Sequence, residues 1–103
     1  MEKRINSLKE FYPYYLQEHQ NPTSRLLHFI GTGLVLIILI LSIFLSRFWY
    51  LTTIPLVGYG FAWVGHFFFE KNKPATFKYP FYSLASDFIL FYEILTKKQK
   101  INP

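Results

Sequence analysis

His66 ends a long apolar run, in the segment Trp63-Val-Gly-His66-Phe-Phe-Phe-Glu70. Positions i and i+4 share a helical face, so His66 and Glu70 can address the same point. A histidine inside an apolar helix is costly and is kept there for a use. The only other histidines are His19 and His28, and there is no cysteine. Imidazole and carboxylate are therefore the available metal ligands, a donor set suited to zinc or to non-haem Fe(II) oxygen chemistry. Three histidines, or two with Glu70, would supply three ligands and leave positions open. A single interfacial histidine more often hydrogen-bonds as a wall residue, but three at one depth favour a metal. Spacing alone does not choose iron over zinc.

The elements that must bring these residues together are helices. More than half of the 103 residues are hydrophobic and 21% are aromatic. Two stretches without formal charge, 26–46 and 48–69, match the roughly 20 residues that cross a bilayer as a helix. The expected fold is an all-α membrane protein: a two-span antiparallel transmembrane hairpin (26–46 and 49–69) flanked by amphipathic interfacial helices (3–18 and 81–96), as a single domain over 1–103. Residues 46–51 allow only a tight reversal. The start of the first span and the end of the second then lie at equal depth, which places His28 and His66 about one helical turn inside the same boundary. His19 lies just outside it.

In 3–18, Ile5, Leu8, Phe11, Tyr12, Tyr15 and Leu16 form a helical stripe that Pro13 bends or breaks. That stripe suits a helix lying on headgroups and equally one packed on the rest of the protein. Thr23 or Ser24 is placed to cap the first span. Pro55 is placed to kink the second, and Gly31, Gly33, Gly58, Gly60 and Gly65 leave room for close helix contact or a homodimer.

The net charge of +5 comes from eleven Lys and Arg residues, of which only Arg47 lies between the two spans. All six acidic residues fall on the side of the other ten. This distribution predicts an integral membrane protein with both termini cytoplasmic, in a bacterial inner membrane, its basic excess facing anionic lipids. It offers no readout face for nucleic acid. The first residues lack the pattern of a cleavable signal. Arg25 is either an interface anchor or a bidentate partner for a carboxylate. Glu70 and Asp87 are candidate ligands, orienters of the histidines, or partners for Lys71, Lys73 or Arg25. Tyr12, Tyr14 and Tyr15 can hydrogen-bond near the site, with nothing to single one out.

The ordered motifs His19-x-x-Pro22-x-x-Arg25-x-x-His28-x-x-Gly31 and Gly65-His66-x-x-x-Glu70-Lys71-x-x-Pro74-Ala75 resemble those of the 2-hydroxy fatty acid dioxygenase family of small membrane proteins. This chain is similar to its short bacterial-type members. The resemblance implies Fe(II)-dependent, O₂-dependent oxidation of a 2-hydroxy fatty acid to the acid one carbon shorter. It implies His19, His28 and His66 as iron ligands, with Arg25 placed to hold the lipid acid; Arg25 and Glu70 are the residues expected to act in catalysis. Two rival readings are a non-enzymatic membrane protein that packs with a partner or itself, and a zinc-dependent lipid hydrolase.

Overall fold

Asn21-Pro22 sets where the longest helix begins. The Asn21 side chain accepts hydrogen bonds from the Thr23 and Ser24 amides (2.9 and 3.2 Å), and Pro22 occupies the first turn, where its missing N–H costs nothing. Asn21 is thus the cap, not the hydroxyl residues that follow it. The computed structural model describes residues 5–72 and 78–103. The start of the amphipathic stretch and the linker residues Lys73, Pro74 and Ala75 of the second motif lie outside them.

All described secondary structure is helical. Helix α1 (Leu8–Gln17) is followed by α2 (Pro22–Phe44), a 3-10 segment (Phe48–Thr53), α3 (Ile54–Val64), a π turn (Gly65–Glu70) and α4 (Pro80–Leu95). Among the described residues, α2 is the one helix long and apolar enough to cross a membrane. The expected second span is not one α-helix. Residues 48–70 are helical throughout but change type twice, leaving α3 with 11 residues, about 16 Å of rise. Pro55 explains the first change: it sits in the first turn of α3, where proline is tolerated, so α-helix starts at Ile54 and the preceding turns stay 3-10.

The stripe on α1 packs against α4 and does not lie free. Phe11, Tyr15, Tyr79 and Leu90 form the buried apolar core, with Leu8, Leu16, Tyr82 and Ile94 around it. Pro13 sits inside α1 without ending it. It is exposed, as is Lys9, whose freed carbonyl meets solvent. Tyr12 ties the middle of α1 to the last turn of α4 by donating a hydrogen bond to Glu93.

Glycines set the register between α2 and the segment 54–70. A Cβ at Gly31 would lie 2.9 Å from Phe61 Cβ, one at Gly58 3.4 Å from Val35 Cγ2, and one at Gly65 2.7 Å from Ser24 Oγ. The pairings 24/65, 31/61 and 35/58 run in opposite directions, so the two segments are antiparallel. The start of α2 therefore faces the end of the π turn. The outer face of α2 stays bare, with Ile37, Ile40, Ile43 and Phe44 all more than half exposed.

Gly65→Ala is expected to lower stability by about 1–3 kcal/mol, because Ser24 presents backbone as well as hydroxyl to the new methyl group. Gly60 has nothing within 4 Å of its notional Cβ, so Gly60→Ala should be neutral or stabilising. Thermal unfolding of the detergent-solubilised variants measures both.

Candidate metal centre

Four elements deliver the three histidines to one buried point. His19 leaves the end of α1, His28 stands on the second turn of α2, and His66 is held by the π turn, while α4 supplies Asp87 behind them. Their relative exposures are 1%, 6% and 2%. Ring centroids are 4.2 Å apart for His19 and His28, 4.5 Å for His19 and His66, and 5.0 Å for His28 and His66. One potential ligand atom from each lies within 4.8 Å of the others.

The hydrogen-bond partners fix the tautomers. His19 Nδ1 faces the Tyr15 carbonyl at 2.6 Å, which can only accept, so that nitrogen carries the proton. His28 Nδ1 donates to Asp87 Oδ1 at 3.1 Å. His66 Nδ1 meets Asn72 Oδ1 at 2.6 Å, and the Asn72 amide is oriented by its Nδ2, which donates to Glu18 Oε2 (2.7 Å) and the Glu18 carbonyl (3.2 Å). All three Nδ1 atoms are donors, which leaves Nε2 of each ring as the lone-pair atom. His19 Nε2 and His28 Nε2 then face each other at 3.0 Å.

Burial, then the neighbouring His28 and His66, holds the His19 imidazole well below its ordinary pKa, so it is neutral at pH 7 and its lone pair is available. Tyr15 is pushed the other way, by burial and then by the Asp87 charge, and stays a phenol. Its hydroxyl donates to the same Asp87 Oδ1 that receives His28. Tyr15 therefore holds two histidines, one through its carbonyl and one through Asp87. Its ring also stacks on His19 with centroids 4.0 Å apart.

The donor set fits a divalent transition metal: three imidazoles, each with one nitrogen committed to a carbonyl, a carboxylate or an amide oxygen. The other candidate residues are placed differently. Glu70 Oε1 accepts the Asn21 amide at 2.8 Å, at the positive end of α2, and lies outside the histidine cluster. Arg25 is 1% exposed, and its Nε and Nη1 donate to the carbonyls of His19 (3.0 Å) and Lys100 (2.9 Å). Among the described residues no carboxylate lies within ion-pair distance of it. Asp87 orients His28 and is not one of the clustered ligand atoms. Tyr15, Glu18 and Asn72 complete the surround. Asn72 carries no sequence signal, because Lys71, with a backbone φ of 61°, is what turns it back towards His66.

Asp87→Ala and Asn72→Ala each remove the hydrogen-bond acceptor behind one histidine. Each should weaken metal binding by about 10- to 100-fold, read by titration of the purified protein against a competing chelator.

No curated protein and no solved structure matches this sequence. The family model described as 2-hydroxy-palmitic acid dioxygenase Mpo1-like matches residues 5–99, a span that holds all three histidines and their hydrogen-bond partners. The chain belongs to the 2-hydroxy-palmitic acid dioxygenase Mpo1-like family.

Proposed function

We propose that the protein is an Fe(II)-dependent dioxygenase that oxidises a 2-hydroxy fatty acid to the acid one carbon shorter at a membrane interface. The observation that carries this reading is the convergence of three buried histidines, each with a potential ligand atom within 4.8 Å of the others. The family name supports the fatty-acid substrate class and the dioxygenase chemistry. His19, His28 and His66 would hold the metal. Iron(II) held there would activate O₂, while the electrons for its reduction come from the 2-hydroxy acid itself, which loses C1 as CO₂ with release of water.

The chain's own residues do the remaining work. Tyr15, Asp87 and Asn72 keep each imidazole in the tautomer that presents Nε2. Arg25 fixes the backbone of His19, and Glu70 closes the start of α2 against the π turn, so both act as positioning residues. Burial of all three rings keeps bulk water from the reacting centre.

In this reading α2 crosses the bilayer with residues 48–70 beside it, both termini on the cytoplasmic side. The bare aliphatic face of α2 supports that placement, as does the near-absence of charge between residues 26 and 69. The histidines then sit at headgroup level, where a lipid carboxylate resides.

The test is elemental analysis of protein purified anaerobically in detergent, beside His28→Ala and His66→Ala. Near-stoichiometric iron is expected in the parent and loss of it in both variants. O₂-dependent conversion of 2-hydroxypalmitate to the fifteen-carbon acid should accompany the iron and fall to background with it. Absence of metal after anaerobic Fe(II) reconstitution overturns the reading, as does zinc with turnover independent of O₂.

A further inference from the structure

Helices α3 and α4 each pack on α2 but scarcely on each other. A cleft therefore remains between them, floored by α2. It holds a cavity of about 210 Å³ that starts at the three histidines and continues along Thr32, Val35, Gly58, Ala62, Leu84 and Phe88. On the α3 side its lining runs from His66 back to Ile54, roughly 18 Å at the rise of a helix. The walls away from the histidines are apolar. Leu84 and Tyr59 at its edges are 53% and 44% exposed, so the cleft opens sideways and not only at its end.

One group in this cleft is unexplained by the metal centre. Ser83 is 4% exposed, lines the cavity, and its hydroxyl meets no hydrogen-bond partner among the described residues. It stands one turn before Asp87 on the same face of α4, next to the histidine end. Ser24, Ser42 and Ser86 also bury a hydroxyl without a partner among the described residues, but Ser83 is the one of the four that lines the cavity, where an oxygen arriving with a ligand can satisfy it. Gly58 explains why the cleft is open. Its notional Cβ lies in ordinary contact with Val35 at 3.4 Å and both residues line the cavity, so a bulky side chain at this position takes up space in the cleft.

We infer that the α3–α4 cleft is an acyl-chain site entered sideways, in which Gly58 sets the room for the tail and the Ser83 hydroxyl binds an oxygen of the head. The volume is small beside the several hundred Å³ of ordinary ligand pockets, which suits one hydrocarbon chain and excludes a two-chain lipid. The assignment rests on the preceding reading for the identity of the head group. The tail site follows from the cleft itself.

Binding to chelator-treated, metal-free protein separates the two. A fluorescent fatty acid is bound to the protein in detergent and displaced by palmitate, 2-hydroxypalmitate or a two-chain phosphatidylcholine. Both single-chain acids should displace the probe and the phospholipid should not. Gly58→Leu should weaken palmitate by at least roughly tenfold while keeping the parent's metal stoichiometry, which shows that the fold and the histidine site persist. Ser83→Ala should weaken both acids by about tenfold, the loss of one hydrogen bond to a charged oxygen, and leave displacement by the uncharged hydrocarbon hexadecane unchanged. Equal displacement by the phospholipid, or unchanged palmitate affinity in both variants, overturns the inference. Retained acyl binding in a protein that takes up no iron would overturn the dioxygenase reading and leave this site standing.

Discussion

Bringing three imidazole nitrogens within 4.8 Å of one another in a buried space is unfavourable unless something positive lies among them. Much of the described fold is arranged around that constraint. Each ring could escape by turning its Nδ1 inward, and each is prevented. A carbonyl, a carboxylate and an amide oxygen behind the rings hold Nε2 forward. Burial makes protonation of His19 costly. The partners come from α1, from α4 and from the turn after the π segment, so packing of those elements and orientation of the rings are one problem.

Tyr15 shows how closely the two are joined. Its ring belongs to the apolar core between α1 and α4, its carbonyl holds His19, and its hydroxyl reaches the carboxylate behind His28. Arg25 does comparable work from α2, tying the His19 backbone to the Lys100 carbonyl. A guanidinium so buried and satisfied only by carbonyls adds positive charge close to the histidines.

Helix type, the long apolar span and the meeting of the three histidines were legible in the sequence, because each depends on periodicity, charge or residue type. The antiparallel placement was legible from the short reversal at 46–51. The interior of the second apolar stretch was not. Its change from 3-10 to α to π depends on Pro55 and on close contact between Gly65 and Ser24, a pairing set by tertiary packing. The roles of Arg25 and Glu70 were also open, since a charged side chain at a helix end can serve an anion, a carbonyl or a backbone amide equally well. Tyr15 could not be told from Tyr12 and Tyr14, because its distinction lies in what α4 brings opposite to it. The choice between a surface-bound and a packed α1 likewise turned on the complementary face of α4.

The π turn closes on itself. His66 Nδ1 donates to the Asn72 side chain while the Asn72 amide donates to the His66 carbonyl at 3.0 Å, with Lys71 in the left-handed conformation between them. A π turn is one residue wider than an α turn, so this segment carries one residue more than a straight helix would need. Adding or deleting a single residue here turns the histidine by about 100° on its axis and opens the ring that holds it. Chain length between residues 65 and 72 is therefore fixed by the geometry of one side chain. The reversal at 45–53, distant from the histidines, has no such bond to keep and can vary in length as ordinary loops do.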